Sequence, residues 1–159
     1  MATEVDICNL ALAHLSSQAT ITSINPADGT AQAAHCARFY PIARNIALTA
    51  HPWAFARKLI APALLGEYSG SWFYKFSLPT DSLRPLEVHP NGYDNPQPFD
   101  IEVTDTGRIL LTNQNPINLR YIYRAEDTLR YSDIFIQALS WLLASYLTCL
   151  LYTSPSPRD

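Results

Sequence analysis

The spacing of the apolar residues changes twice along the chain, and this change constrains the fold more than any other feature. Near both ends the apolar residues recur every three or four positions, which is typical of amphipathic helices. Between residues 53 and 124 many of them recur at every second position, which is typical of strands. The order helix, helix, strands, helix predicts an α+β fold, with amphipathic helices packed beside a small antiparallel β-sheet.

Capping residues predict where the helices begin. Thr3 is a suitable N-cap for a helix over Glu4–Ser16, and Thr30 for a second helix that runs to about Ala50. Pro41 lies inside the second helix, where its missing N–H predicts a kink or a break.

The last predicted helix begins after Ser132 and continues to Thr148. Its apolar residues cover a wide arc, so we expect it to be buried on more than one side.

Alternating apolar residues predict five short antiparallel strands, at Ser71–Pro79, Leu83–His89, Phe99–Asp105, Arg108–Asn113 and Asn118–Arg124. The step Asp105-Thr106-Gly107 between two of them predicts a tight hairpin. We expect Phe99, Ile101 and Val103, in the first strand of this hairpin, to face the core.

Charge and composition argue against several classes of function. Only 16% of the 159 residues are charged and the net charge is -3, so no basic stripe is available to bind nucleic acid. The three cysteines have no CxxC spacing, which argues against a disulfide framework or a structural zinc site and fits a reducing compartment. No apolar run approaches the roughly 18 residues of a membrane span, and the amphipathic start of the chain argues against a signal peptide.

Candidate catalytic and metal-binding residues are few. The four histidines have no metal-ligand spacing, and we expect each to be a surface or half-buried residue without a metal. Cys8 and Cys36 would face each other if the first two helices are antiparallel, and a Cys-His nucleophile with His14 or His35 is then one alternative. The commoner alternative is a pair of buried cysteines that fill the core. No cofactor is indicated.

Asp100 and Glu102 should share one face of a strand, with α-carbons roughly 6.5 to 7 Å apart. Two carboxylates at such a distance can be the acid and base of a sugar hydrolase. A solvated strand face is the commoner explanation. The hydrolase hypothesis predicts that Asp100→Asn or Glu102→Gln abolishes hydrolysis of cell-wall sugars.

Aromatic residues are dense between residues 53 and 76 and include Trp53, Phe55, Trp72, Phe73, Tyr74 and Phe76. Because they alternate in the predicted strand, aromatic side chains should lie on both of its faces, and one face would be buried by another subunit or by helices of the same chain. The candidate subunit-interface residues are Trp53, Arg57, Trp72 and Tyr74. A surface for single-stranded nucleic acid is a weaker alternative, because few cations accompany the aromatic residues.

Several segments together are similar to the head-to-tail adaptor family of tailed phages, which includes the tail tubular protein A and the tail accessory factors of short-tailed viruses. They are DICNLALAHLSSQATITSINPADGTAQAAHCARFYPIARNIALTAHPWAFARK (6–58), WFYKFSLPTDSLRP (72–85), ILLTN (109–113), LRYIYRAED (119–127) and FIQALSWLLASYL (135–147). The segments are specific in combination and cover nearly all of the chain before residue 149.

The resemblance implies a structural protein of the virion and not an enzyme. Members of the family assemble as a ring, usually of twelve copies, which contacts the portal protein and the tail tube or nozzle proteins. DNA would be passing cargo, there would be no membrane partner, and assembly would occur in the host cytoplasm. A host-type interaction module remains an alternative, and it predicts no affinity for a portal ring.

The last eleven residues, CLLYTSPSPRD (149–159), follow the helical pattern without a cap. Translated back into codons, they resemble a sequencing adapter read in frame. We therefore expect residues 149–159 to be a non-native tail, and residues 1–148 to be a single adaptor-like domain that is truncated at its C-terminus. A natural proline-rich tail is the alternative.

Overall fold

The computed structural model describes residues 2–17 and 19–151. These residues form an α+β fold with three α-helices and seven strands in two antiparallel sheets, so the predicted fold class is confirmed and the strands form two sheets instead of one. The elements are α1 (Glu4–His14), α2 (Ala31–Ala50), β1 (Arg57–Ile60), β2 (Leu64–Glu67), β3 (Tyr74–Ser77), β4 (Ser82–Pro90), β5 (Phe99–Thr104), β6 (Gly107–Thr112), β7 (Ile117–Tyr123) and α3 (Asp133–Leu151), with 3-10 turns at Ala54–Ala56 and Thr128–Arg130.

The described residues divide into two compact units. Residues 2–51 and 125–151, apart from residue 18, form a helical unit, and residues 52–124 form a strand unit. The single domain over residues 1–148 stays a prediction. Of the expected non-native tail, residues 152–159 lie outside the described residues, and α3 includes residues 149–151.

The predicted caps of the helical unit are confirmed. The Asp6 N–H donates to Thr3 Oγ1 at 3.2 Å, and the Thr3 N–H donates to Asp6 Oδ2 at 2.8 Å, which completes a capping box. The Ala33 N–H donates to Thr30 Oγ1 at 3.1 Å, and the Phe135 N–H donates to Ser132 Oγ at 3.3 Å.

Of the kink or break predicted at Pro41, a break does not occur, since α2 continues from Ala31 to Ala50, and a kink stays a prediction. Pro41 lies on the exposed side of the helix, whereas its neighbours Tyr40 and Ala43 are buried. Packing of the buried side holds the helix together across the missing hydrogen bond.

α3 is the central helix of the helical unit, because it packs against both α1 and α2. Its buried residues Phe135, Leu139, Leu143 and Leu147 are fully inaccessible to solvent. The Phe39 ring of α2 stacks on Tyr146 of α3, with 5.8 Å between the ring centroids.

The strand unit is a sandwich of two sheets, with strand orders β1-β7-β4 and β2-β3-β6-β5. Phe76 and Leu110 from the four-stranded sheet share one apolar core with Val88, Leu119 and Tyr121 from the three-stranded sheet. Buried and part-buried side chains alternate along β7 from Ile117 to Tyr121, as the sequence predicts, and Ile122 departs from this pattern because it is also buried.

The predicted hairpin is confirmed as β5–β6, where Thr104 pairs with Gly107 and the φ angle of Gly107 is 123°. Val103 was expected to face the core, but its side chain is 76% exposed. It lies near the end of an edge strand, opposite Arg108, beyond the part of the strand that the core covers.

β1 and β2 were not predicted. Their sequences, RKLI and LLGE, have no regular alternation, and most of their residues are exposed. The chain passes directly from β1 to β2 through residues 61–63, and the Ser77 N–H donates to the Ala63 carbonyl at 2.9 Å. Pairing with β7 and β3, and not local sequence, makes these residues strands.

Candidate interaction surface

Beyond its first turn, the solvent-facing side of α3 carries no charge. In the 19 residues of this helix the only charged side chain is that of Asp133, in the first turn. The exposed residues between that turn and position 148 follow helical spacing and form what we call the outer stripe of α3, which consists of Ile134, Gln137, Ala138, Trp141, Ser145 and Thr148. Helices that face water ordinarily carry charged residues there, so this side is suited to contact with another protein surface.

α3 is buried on more than one side, as expected, because it packs against both α1 and α2. The side that these helices leave open contains Ile134, which is 74% exposed, and Trp141, which is 57% exposed. α3 therefore has a wide apolar arc, and among the described residues α1 and α2 cover only part of it.

Trp141 is held in a defined orientation by α1. Its ring stacks on His14, with 3.7 Å between the centroids and 8° between the ring planes. Ser140 Oγ donates to the Gln137 carbonyl at 2.8 Å, so it accepts a hydrogen bond from His14 Nε2 at 2.9 Å. His14 is thus fixed on one side, and the indole projects from a supported position.

The outer face of α2 is also largely apolar. Ile42 and Ile46 are each 46% exposed, and the charged residue on this face is Arg38, because Arg44 is buried. A shallow groove of about 400 Å³ is lined by Asn45, Ile46, Thr49 and Ala50. Thr49 Oγ1 donates to the Asn45 carbonyl at 2.7 Å, so this hydroxyl already has a hydrogen-bond partner.

The outer faces of α2 and α3 are two separate surfaces of the helical unit. α2 contacts α3, and its buried residues, such as Tyr40, Ala43 and Ala47, lie on the side opposite Ile42. Since each helix uses one face for this packing, its opposite face points outward. The helical unit therefore presents two different apolar surfaces.

The predicted interface residues all lie in the strand unit and do not form one cluster. Trp53 is half-buried with its ring centroid 6.2 Å from that of Phe55, and Arg57 is exposed on β1. Trp72 is half-buried, and Tyr74 packs against the sandwich core from β3, in the other sheet. Their role at an interface stays a prediction.

The most exposed aromatic side chain of the dense aromatic segment is that of Phe73, at 65%. Alternation in the sequence could not distinguish it from its neighbours, because it immediately precedes β3 and lies outside the paired part of the strand.

Asp100 and Glu102 lie on one face of β5, as predicted, since they pair with Leu111 and Ile109 of β6. The Tyr68 hydroxyl donates to Glu102 Oε2 at 2.6 Å, and this hydrogen bond raises the pKa of Tyr68. Asp100 Oδ1 accepts the Ile101 N–H at 2.8 Å. Each of the two carboxylates therefore accepts a hydrogen bond from another group of the strand unit.

Cys8 and Cys36 do face each other across α1 and α2. Both are fully buried as free thiols, and the hydrogen bond to Cys36 together with burial raises the pKa of Cys8. Of the two histidines considered as partners, His14 bonds to Ser140 instead. Both thiols are closed off from solvent, and buried cysteines of this kind are inert, so the geometry favours packing in the core.

The sequence predicts that each histidine lies at the surface or is half-buried, and this prediction is wrong for His89. The structure buries His89 on β4, with 3% exposure. Its Nε2 lies 2.8 Å from Glu87 Oε2, and its Nδ1 lies 3.5 Å from Asp94 Oδ1. Arg120 Nη1 contacts the same Glu87 oxygen at 3.3 Å. The sequence feature that could have indicated this cluster is the spacing of Glu87 and His89, which places both residues on one face of a predicted strand.

Within residues 2–17 and 19–151 the structure shows no group of three or more His, Cys, Asp or Glu residues that would hold a metal ion. No helix in that part of the chain is both long and apolar enough to cross a membrane. Comparisons with known protein families and with curated proteins found no match to this chain.

Proposed function

We propose that the chain is a subunit of a head-to-tail connector ring of a tailed phage, which joins the portal to the tail and continues the DNA channel. The observation that supports this proposal is the outer stripe of α3, which leaves Ile134 and Trp141 exposed on a helix with one charged residue. Such a surface is typical of a protein that functions as part of an assembly.

A second feature fits a ring in particular. Copies related by a closed rotation contact each other through two different surfaces, one on each side of the subunit. The outer faces of α2 and α3 are two different apolar surfaces of this kind. The proposed partners are neighbouring copies, the portal protein and the tail tube or nozzle proteins. The proposed location is the virion neck, after assembly in the host cytoplasm.

The charge of the chain fits a channel through which DNA passes. Its net charge is -3, and two of its cations, Arg44 and Lys58, are engaged with Glu126 and Asp81. A wall with a net negative charge binds the phosphate backbone weakly. DNA would therefore move past the ring as cargo.

Binding to a portal ring tests the proposal. The complete product of the gene would be mixed with the portal protein from the same genome, and the complex would be sized and imaged by electron microscopy. We expect a ring of about twelve copies on the portal, given that cyclic assemblies match the symmetry of the surface they close on. A portal ring from an unrelated phage is the control. If the complete protein does not associate with its own portal, the proposal is wrong.

A further inference from the structure

We infer that, in the assembled ring, the outer stripe of α3 in one copy packs on the outer face of α2 in the next copy, with Trp141 inserted in the groove around Ile46. This inference rests on the proposed ring function and names the contact that would hold neighbouring copies together. The occupant of each surface is a second copy of the chain.

One of the two surfaces has a projecting aromatic side chain, and the other has a shallow groove. Trp141 projects from α3 and is kept in place by its stacking on His14. The groove on α2 is lined by Asn45, Ile46, Thr49 and Ala50 and measures about 400 Å³. An indole buries about 150 to 250 Å² when it is fully enclosed, and fixed aromatic side chains in such pockets are the residues that dominate protein interfaces.

The polarity and length of the surfaces also match. The charged residues that border them are Arg38 on α2 and Asp133 on α3, which have opposite signs, so the contact brings no like-charge repulsion. The helices have 20 and 19 residues, so each is about 30 Å long at 1.5 Å per residue.

A second copy explains both surfaces at once. A different partner protein would cover one apolar face and leave the other exposed. A head-to-tail contact between identical copies covers α2 of one and α3 of the next, and repetition around a closed ring leaves neither face exposed.

Introducing a pair of opposite charges at the two positions tests this contact. Trp141→Asp and Ile46→Lys would be made singly and together in the complete protein, and ring formation on the portal would be measured as a function of protein concentration. We expect each single variant to require about 30-fold more protein for ring completion, as for loss of an aromatic hot spot. We expect the double variant to recover most of this loss, because the new charges then face each other.

Two controls separate loss of contact from loss of folding. Ala138→Glu places a charge on the same stripe without removing the Trp141–His14 stack, and it should impair ring formation in the same way. Val103→Asp places a charge on an apolar residue of the strand unit that is 76% exposed, and it should assemble like the wild type. Circular dichroism would confirm that each variant keeps its helices.

The outcomes are distinct. If the wild-type protein forms a ring and the single variants form it equally well, the α2–α3 contact is wrong and the ring function stands. The same conclusion follows if the single variants are folded but do not form the ring, and the double variant does not recover ring formation. If the wild-type protein does not bind its portal, the ring function and this contact are both overturned.

Discussion

At the scale of single residues, Asp28 organises the segment that precedes α2. Its two carboxylate oxygens accept the Thr22 N–H at 2.8 Å, the Thr30 N–H at 3.1 Å and the Thr30 hydroxyl at 2.7 Å. The hydrogen bond from the Thr22 N–H, followed by those from Thr30, lowers the pKa of Asp28 to about 2. Because Thr30 is also the N-cap of α2, this carboxylate holds the loop and the start of the helix together.

The lowered pKa of Asp28 predicts a specific acid sensitivity. A carboxyl group with a lower pKa in the folded state stabilises the protein above its unfolded pKa, which is about 3.9, and this stabilisation is lost as pH falls. We expect the free energy of unfolding to decrease between about pH 4 and pH 2, and Asp28→Asn to remove part of this decrease. Urea unfolding at a series of pH values is the measurement. Equal pH dependence in the variant and the wild type would contradict the role given to Asp28.

At the scale of secondary-structure elements, α3 has a buried side and an exposed side. One face forms the core of the helical unit, and the other is available for contact between copies. Substitutions on the two faces should therefore affect different measurements, although both replace large apolar side chains.

Leu139→Ala and Ile134→Ala provide a matched pair. Leu139 is fully buried, so its truncation should lower the free energy of unfolding by about 2 to 5 kcal/mol. Ile134 is 74% exposed, so the same change there should cost less than about 0.5 kcal/mol. Chemical denaturation of the isolated chain measures both values. Similar losses at the two positions would show that the face of α3 is assigned incorrectly.

At the scale of the whole molecule, the chain is built from a discontinuous helical unit and a continuous strand unit. Residues 52–124 contain both sheets and one shared apolar core, in which Val88, Leu110 and Leu119 are fully buried. The helical unit combines residues from both sides of this segment. Only the strand unit can therefore be produced as one uninterrupted piece of chain.

We expect residues 52–124, expressed alone, to fold into the sandwich. Domains of this size have marginal stability but can fold independently when they have their own core. A well-dispersed two-dimensional amide NMR spectrum would confirm the expectation, and Phe76→Ala, which removes a buried core ring, should collapse that dispersion. A collapsed spectrum for the unmodified fragment would show that its core is insufficient by itself.

The sequence alone determined the features that depend on neighbouring residues. The caps at Thr3 and Thr30 and the hairpin ending at Gly107 could be predicted, because a cap or a tight turn needs particular side chains or φ angles within a few positions. The α+β class followed from the two apolar periods, since each period matches one kind of backbone geometry.

Only the tertiary structure decided the features that depend on distant partners. β1 and β2 are strands because β7 and β3 supply their hydrogen bonds, and His89 is buried because Glu87, Asp94 and Arg120 surround it. The candidate site depended most on the fold. The pattern of α3 predicts a wide apolar arc, but which part of that arc remains exposed is decided by where α1 and α2 pack, because burial is a property of neighbours in space.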